Sequence, residues 1–261
     1  MRPTALLFLL FAMTHSAFPW GGEGHELIAR IADAQLTPAA REHVLEVLGS
    51  GSTMESVASW ADEIRRSRPA TGPWHYIDIP IDQPHMDLAR DCPKGDCVVM
   101  KIGELRAEVR NPATPPEQRR EALMFLIHFI EDLHQPLHCS DNHDQGGNGV
   151  QVRFLDRPTN LHSVWDTGLL RRMGTEDQLF AELSPESARK ARKFSKGGVE
   201  EWAEQSHKAA QKIVYGKLPK STAGTPVMLN AAYEKAADRL IRRQIEEAGA
   251  RLAVVLNQDL Q

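Results

Sequence analysis

The stretch HFIEDLHQPLH, residues 128–138, places polar side chains within an apolar helix. Apolar residues recur through it and through the preceding turns, and His128 and Asp132 lie four positions apart among them. Residues at this spacing leave the same face of a helix, here the face that belongs to the core. A buried carboxylate beside an imidazole is costly unless it is paired or binds a metal ion. Pro136 ends the helix, and His138 can then turn back towards the same point.

A second stretch, NLHSVWD at residues 160–166, repeats this arrangement. His162 and Asp166 are again four positions apart and have apolar neighbours. One such pair is usually an ordinary polar pair, but two of them amid apolar residues favour a metal site. Imidazole nitrogens and carboxylate oxygens are the ligands of zinc-type hydrolytic centres.

Three tryptophan-containing segments upstream supply further candidate ligands, namely WGGEGH at 20–25, WAD at 60–62 and WHYID at 74–78. If processing exposes Trp20, its amine and its carbonyl oxygen can chelate one ion, because the amine loses its proton near neutral pH. His25 can return to the same ion. The alternative for this segment is a flexible start with an incidental histidine.

The remaining histidines stay outside the predicted metal site. His134 lies off the face that carries His128 and Asp132, so it is interpreted as a surface histidine or one that lies behind the ligands. The other histidines are not flanked by further candidate ligands in an apolar stretch, so they are interpreted as ordinary residues: His43, His85, His143 and His207.

Composition predicts a globular protein without a duplex-binding surface. The chain has 261 residues, of which 41% are hydrophobic, and a formal net charge of −4. A sequence-specific DNA reader normally carries a basic footprint, which this chain lacks. An enzyme whose bound metal ions supply the positive charge is still allowed.

Residues 1–19 are predicted to be a signal peptide. Arg2 precedes a short apolar run, ALLFLLFAM at 5–13, and small residues follow at Ser16 and Ala17. The run is too short to span a bilayer, so we expect a secreted or periplasmic protein without stable membrane association. The alternative is a buried N-terminal helix.

An exported protein permits disulfides. Cys92 and Cys97 enclose the turn-rich loop CPKGDC, which favours a bridge over two free thiols. Cys139 is left over next to His138, and a small buried side chain is preferred over a metal ligand.

Helical periodicity dominates the chain and predicts one mainly α domain, residues 20–261, with long loops around a metal cleft. The predicted helices cover residues 26–35, 38–48, 56–68, 116–133, 161–173, 199–214 and 226–256. The best strand candidate is 150–155, after a glycine-rich turn. The long stretches 69–98 and 139–160 are expected to be functional loops.

These motifs together resemble the single-strand-specific zinc nucleases and 3′-nucleotidases, which are related to the zinc-dependent phospholipases C. The resemblance rests on Trp-x4-His, WAD, WHYID, H-x3-D-x5-H and H-x3-D in this order, from Trp20 to Asp166. It implies a mainly helical fold of the phospholipase C/zinc nuclease type with three zinc ions.

The resemblance also implies which residues hold each ion. One ion takes Asp62, His75, His128 and Asp132. A close neighbour takes the Trp20 amine and carbonyl, His25 and the shared Asp132. The third ion takes His138, His162 and Asp166.

For the reaction, the resemblance implies hydrolysis of the P–O3′ bond of RNA or single-stranded DNA to 5′-phosphates, and action on 3′-nucleotides. Asp132 is expected to bridge two ions, and Arg65 to offset charge on the phosphate in the transition state. Tyr76 and Asp78 match the aromatic residue and the acid that hold a nucleobase. The protein is expected to be a monomer.

The chain departs from the family pattern at the processing site. Pro19 precedes Trp20, and signal peptidase disfavours proline beside its cut. Cleavage after Ala17 leaves Phe18 and Pro19 in front of Trp20 and blocks its amine, whereas later removal of that dipeptide frees it.

Two other functions stay open at the level of sequence. One is a phospholipase C-like phosphodiesterase that acts on lipid headgroups, against which the chain lacks an evident apolar docking segment. The other is a periplasmic zinc-binding protein, which would explain the histidines but neither Arg65 nor the pair of Tyr76 and Asp78.

Overall fold

Helices dominate the structure, a computed structural model that describes residues 20–222 and 224–261. The predicted signal peptide therefore lies outside the described residues. The α-helices are α1 (Gly22–Asp33), α2 (Pro38–Leu48), α3 (Met54–Val57), α4 (Trp60–Ile64), α5 (Leu88–Asp91), α6 (Val98–Arg110), α7 (Pro116–Asp132), α8 (Leu161–Ser163), α9 (Leu169–Met173), α10 (Glu176–Phe194), α11 (Val199–Ala209) and α12 (Ala231–Asp259). Short 3-10 helices cover Pro69–His75 and Pro136–Cys139, and π-helical turns cover Val164–Gly168 and Ala210–Tyr215. The mainly α prediction is confirmed.

Helix α7 is the central element of the core. Every residue from 122 to 132 is buried, so its second half contacts protein on all sides. Pro116 stands at the first turn, where a missing N–H costs no helical hydrogen bond. Burial of a phenylalanine such as Phe125 or Phe129 contributes about 1.5–3 kcal/mol to stability. Apolar burial along α7 thus offsets the cost of carrying polar side chains into the interior.

Two hydrophobic clusters meet at the helices α1 and α12. Helix α1 contributes Ala29 and Ala32 to the cluster around α7, and Leu27, Ile28 and Ile31 to the other. Helix α12 divides in the same way, since its N-terminal half packs in the second cluster and its C-terminal half in the first. The predicted ligands on α7 border one cluster, and those on α8 and the following turn border the other.

Helices α1 and α12 approach each other closely at Gly249. A Cβ atom at this position would lie 2.4 Å from Ile31 Cγ2 and 3.0 Å from Ile31 Cβ. A β-branched side chain is stiff and has little room to move away. The absence of a side chain at Gly249 therefore sets the distance between the two helices.

The described strands form one small sheet in the order β2-β1-β3, with β1 (Gln151–Phe154), β2 (Arg157–Asn160) and β3 (Val227–Met228). Strand β1 pairs antiparallel with β2, where Gln151 faces Asn160, and parallel with β3. The strand predicted at 150–155 is confirmed.

Several predicted helix limits need correction. The predicted helix 56–68 is replaced by the short helices α3 and α4. The last helix begins at Ala231 instead of residue 226, because Asn230 caps it by accepting from Tyr233 N at 2.9 Å. The helices α6 and α10 were not predicted. In α10, Pro185 lies inside the helix, where proline normally breaks the pattern.

The cysteines follow the sequence-based interpretation. Cys92 and Cys97 form a disulfide that closes the loop between α5 and α6, which confirms the predicted bridge. Cys139 is a buried free thiol that contacts Leu133 O at 3.4 Å, and burial raises its pKa. None of the helices in the described ranges combines the length and the apolar character that a bilayer crossing needs.

Candidate metal centre

Four predicted ligands meet at the C-terminal half of α7. His128 and Asp132 lie one turn apart on this helix, with 3.1 Å between His128 Nε2 and Asp132 Oδ2. His75, at the end of a 3-10 helix, brings Nδ1 to 2.9 Å from the same oxygen. Asp62 of α4 places Oδ1 3.7 Å from His75 Nδ1 and 3.8 Å from His128 Nε2. Two carboxylates and two imidazoles thus point at one small volume.

The second oxygen of Asp132 faces a different histidine. Asp132 Oδ1 lies 3.6 Å from His25 Nε2, and the His25 ring stacks on the His128 ring with 4.0 Å between centroids. The side chains of His25, Asp62 and His128 also bring one ligand atom each within 4.8 Å of the others. Asp132 therefore has one oxygen towards each of two neighbouring donor groups, which is the geometry that a bridging carboxylate needs.

A third group of donors adjoins the Asp132 oxygen that faces His25. His162 Nε2 is 3.3 Å from Asp166 Oδ2, and the His138 and His162 rings stack with 5.1 Å between centroids. One ligand atom from each of His138, His162 and Asp166 lies within 4.8 Å of the other two, so the three side chains could hold one ion. His138 Nδ1 lies 3.6 Å from Asp132 Oδ1, so this group adjoins the other two.

Several buried donor atoms in this region have no hydrogen-bond partner among the described residues. Those that belong to proposed ligands and face the centre are Asp132 Oδ1, His138 Nε2 and Asp166 Oδ2. An unpaired buried polar atom costs about 1–3 kcal/mol, so their concentration at one place needs a compensating partner. Cations satisfy nitrogen and carboxylate donors together, and this donor set therefore fits divalent metal ions.

Protonation equilibria at the site suit metal binding in two ways. Burial lowers the pKa of His75 to about 4 and that of His138 to about 3, so both rings are neutral at pH 7. A neutral imidazole has a lone pair for a metal ion. His128 differs, because burial opposes its charge but the carboxylates of Asp132 and Asp62 raise its pKa to about 9. An incoming cation would release that proton.

The carboxylates respond to the same surroundings in opposite directions. Burial raises the pKa of Asp62 to about 7, and it raises that of Asp166 well above its usual range. For Asp132, burial acts in the same direction, but the neighbouring His128 and His138 hold the pKa well below its ordinary value. Asp132 is therefore the carboxylate most firmly ionised in the centre of the site.

Trp20 is buried beside the ligands. Its Nε1 donates to Glu131 O at 3.1 Å, and the neighbouring Gly21 N donates to Asp166 O at 2.8 Å. These bonds tie the start of the described chain to the helices that carry ligands. A free amine at Trp20 depends on cleavage after Pro19, which lies outside the described residues.

A cleft of about 340 Å³ opens onto the donor groups. Arg65, Tyr76 and Asp78 line it together with His75, His138 and His162. Arg65 Nη1 lies 3.3 Å from Asp62 Oδ1, and its side chain remains 32% exposed. The guanidinium thus stands at the wall of the cleft with a free side towards solvent.

The segment that carries Tyr76 and Asp78 is extended, and its side chains alternate. Ile77 and Ile79 are buried, whereas Tyr76 and Asp78, which alternate with them, are exposed and line the cleft. Backbone bonds from Ile77 N to His138 O (2.8 Å) and from Asp141 N to Ile79 O (2.9 Å) hold it in place. The pKa of Asp78 is raised to about 6, mainly by partial burial and to a smaller extent by the negative charges of Asp141 and Asp91 nearby.

Of the two interpretations of His134, as a surface histidine or as one that lies behind the ligands, the surface position is wrong. His134 is 1% exposed, donates from Nδ1 to Ile130 O at 2.7 Å and accepts from Arg251 Nη1 at 2.7 Å. Arg251 belongs to α12, so local spacing could not reveal this partner. His207 is also buried, and its Nε2 lies 2.8 Å from Gln83 O.

Sequence reasoning missed two polar residues behind the ligands. Glu131 is fully buried and contacts His25, and Gln135 donates to Asp166. Glu131 left a signal, since it is a second acid within an apolar helical stretch. Gln135 left none, because its partner lies in a different part of the chain.

The comparisons with known proteins agree on one group. A family model described as S1/P1 Nuclease matches residues 20–261. Nuclease P1 of Penicillium citrinum is 36% identical over 163 residues, which covers 59% of this chain and 59% of that protein. Endonuclease 2 of Arabidopsis thaliana is 35% identical over 163 residues, with 58% and 56% covered. Nuclease S1 of Aspergillus oryzae is 32% identical over 165 residues, with 60% and 57% covered. The matched part of the chain spans 56–59% of the length of these relatives.

Proposed function

The chain belongs to the S1/P1 nuclease family, and from this premise we propose that it is a zinc-dependent endonuclease. Its substrates are RNA and single-stranded DNA, in which it hydrolyses the P–O3′ bond to leave 5′-phosphates, and it also acts on 3′-nucleotides. Residues 20–261 form the nuclease domain. The observation that carries the proposal is the convergence of buried histidine and aspartate donors, several of them without partners, at the floor of an open cleft.

Three zinc ions are the proposed cofactors. Asp62, His75, His128 and Asp132 hold one, and His138, His162 and Asp166 hold another. The remaining ion takes His25, Asp132 and the main-chain atoms of Trp20. Bound zinc supplies Lewis acidity towards phosphate oxygens and lowers the pKa of water.

The chain's own residues position the phosphate and its charge. Asp132 holds two donor groups together, because its two oxygens face different histidines. Arg65 presents a partly exposed guanidinium at the cleft wall, where it stabilises negative charge that builds on the phosphate.

Preference for single strands follows from the position of Tyr76. Tyr76 is 36% exposed and lines the cleft, so a base must leave its stack to lie against its ring. Stacking of one base on an aromatic side chain contributes about 1–3 kcal/mol and tolerates any sequence. Asp78 contacts the edge of the base. Bases in a duplex are already paired and stacked, so they enter only at additional cost.

The proposed location is secreted or periplasmic, and the proposed state is a monomer. The disulfide of Cys92 and Cys97 supports an oxidising compartment. The signal peptide proposed at residues 1–19 would direct the export.

The decisive experiment compares substrates and counts ions in one sample of processed protein. Hydrolysis of a single-stranded oligonucleotide, its duplex, a 3′-nucleotide and phosphatidylcholine is measured with and without a chelator. End-group analysis identifies the phosphate left on the product, and mass spectrometry of the N-terminus is combined with elemental analysis. We expect chelator-sensitive cleavage of the single strand to 5′-phosphates and three zinc ions.

Other outcomes would replace the proposal. Preferential cleavage of phosphatidylcholine would favour a lipid phosphodiesterase. Bound zinc without turnover of any phosphate ester would favour a zinc-binding protein.

A further inference from the structure

Glu131 is a buried acid that the proposed reaction does not use. It is 0% exposed and lies next to Asp132 on α7. No lysine or arginine of the described ranges pairs with its carboxylate, whose one hydrogen-bond partner there is His25, at 2.6 Å between His25 Nδ1 and Glu131 Oε2. A buried carboxylate with so little compensation is costly, so its position calls for a specific role.

His25 is held between two carboxylates. Its Nδ1 faces Glu131, and its Nε2 lies 3.6 Å from Asp132 Oδ1 on the side of the donor groups. Stacking on His128, with an angle of 17° between the rings, fixes the plane of the imidazole. The ring therefore has one nitrogen towards the metal centre and the other towards Glu131.

Three other histidines of the centre use main-chain oxygens for the equivalent contact, whereas His75 turns its Nδ1 to Asp132 Oδ2 at 2.9 Å. His128 Nδ1 lies 2.6 Å from Ala58 O, and His162 Nδ1 lies 2.7 Å from Gly146 O. His138 Nδ1 likewise lies 2.9 Å from a carbonyl oxygen, that of His75. Among His25 and these three rings, His25 alone has its Nδ1 against a carboxyl group, and an ionised carboxylate polarises an imidazole more strongly than a carbonyl group does.

We infer that Glu131 is a positioning residue for His25, and that it strengthens the binding of the ion held by His25 and Asp132. The inference rests on the proposed metal centre. Glu131 Oε2 accepts a hydrogen bond from the Nδ1–H group of His25, and this tautomer places the lone pair on Nε2, which faces the ion. A carboxylate behind a histidine ligand fixes its orientation and raises its basicity, and loss of such a partner typically weakens metal binding by about 10- to 100-fold.

The main-chain carbonyl group of Glu131 makes a separate contact, which substitution of the side chain does not remove. Glu131 O accepts from Trp20 Nε1 at 3.1 Å, which anchors the segment that begins at Trp20. Substitution of the side chain removes the contact with His25 but keeps this carbonyl. A change in metal binding can therefore be assigned to the carboxylate.

The experiment compares zinc affinity in Glu131→Gln, Glu131→Ala and a matched control. The control is Glu246→Gln, since Glu246 is also a buried acid (8% exposed) but pairs with Lys190 at 2.8 Å. Its contacts among the described residues, with Lys190 and Ser187, include no proposed ligand. Zinc is titrated against a competing chromophoric chelator, the bound ions are counted by elemental analysis, and circular dichroism checks the fold. The absorption spectrum of cobalt-substituted protein reports the ligand environment independently of activity.

We expect Glu131→Ala to lower the affinity for one of the three zinc ions by about 10- to 100-fold and to alter the cobalt spectrum. Glu131→Gln keeps an acceptor of similar shape. Its affinity for the same ion is expected to fall by about three- to tenfold, because a neutral amide oxygen accepts a hydrogen bond more weakly. If the alanine variant does not fold, the glutamine variant alone decides. The control retains all three affinities.

Unchanged affinity for every ion in the folded variants would overturn the role of Glu131 while leaving the metal centre intact. An equal loss of all three ions would also overturn it, because it would indicate general destabilisation. A wild-type protein that binds no zinc would instead remove the proposed function together with this inference.

Discussion

Gln135 holds one oxygen of the Asp166 carboxylate and leaves the other directed at His162. Gln135 Nε2 donates to Asp166 Oδ1 at 2.6 Å, and Asp166 Oδ2 lies 3.3 Å from His162 Nε2. The amide oxygen of Gln135 is fixed as well, because it accepts from Leu137 N at 2.7 Å. The amide therefore cannot rotate freely, and the orientation of Asp166 follows from it.

We predict that Gln135→Leu lowers the affinity for the ion held by His138, His162 and Asp166 by about 10- to 100-fold. The reason is that Asp166 loses the hydrogen bond that fixes its orientation. Zinc titration and elemental analysis after dialysis test this. Gln35→Leu serves as the control, because Gln35 bonds Ser187 at 3.0 Å, away from the ligands, and should keep all ions. Full retention of zinc in Gln135→Leu would show that Asp166 needs no such support.

Asp132→Ala is predicted to lose metal and activity together. Its two oxygens face His75 and His25, so one substitution removes a donor from two groups. We expect fewer than three zinc ions and a loss of turnover of at least about a hundredfold, because removal of one electrostatic contribution from an active site typically costs about 10²- to 10³-fold. Near wild-type turnover with full metal content would refute the bridging role.

Tyr76→Ala is predicted to raise KM for a single-stranded oligonucleotide without loss of zinc. Removal of one base-stacking contact corresponds to about 1–3 kcal/mol, or roughly 5- to 150-fold in binding. Tyr76→Phe keeps the ring and should bind almost as well as the wild type. If zinc content falls in parallel with binding in Tyr76→Ala, the ring has a structural role.

Asp78 is predicted to give substrate binding a pH dependence near its pKa of about 6. As pH rises through this value the carboxyl ionises and accepts more strongly from N–H groups of a base. The ratio of wild-type to Asp78→Asn affinity should therefore increase between pH 5 and pH 7, and the ratio cancels any shared titration of the ligands. A flat ratio would argue against contact of Asp78 with the base.

The same pKa predicts a change in stability with a definite sign. The folded pKa of Asp78 lies above the ordinary value of 3.8, so the folded state binds this proton more tightly than the unfolded state does. The contribution to stability is thus present at low pH and is lost as pH rises from about 4 to 6. Asp78→Asn should gain melting temperature relative to the wild type over this window.

Gly249→Ala is predicted to destabilise the protein although alanine is the better helix former. The new Cβ would lie 2.4 Å from Ile31 Cγ2, and forced repacking of this kind costs about 1–3 kcal/mol, more than the gain of about 1 kcal/mol from helix propensity. Gly103→Ala on α6 is the control, since nothing lies within 4 Å of the new Cβ there, and it should stabilise. Chemical denaturation of both variants measures the difference. Equal effects would show that α1 and α12 can move apart freely.

The local features of the site could be predicted from sequence because they depend on helix geometry. His128 with Asp132, and His162 with Asp166, are neighbours whenever their segments are helical, since 3.6 residues form one turn. The helix that starts at Pro116 follows from the same local rules. The grouping of ligands from distant segments came from the family resemblance, because spacing alone places no distant residues together.

Only the tertiary structure decided which polar residues stand behind the ligands. Glu131 meets His25 across 106 positions, and Arg251 meets His134 across 117, through the packing of α1, α7 and α12. Such contacts depend on how helices approach each other, which side-chain volume and positions such as Gly249 determine. The sequence by itself determined the helical pairs and the types of donor. Packing decided their convergence and their support, because contact between remote segments exists only once the core has closed around them.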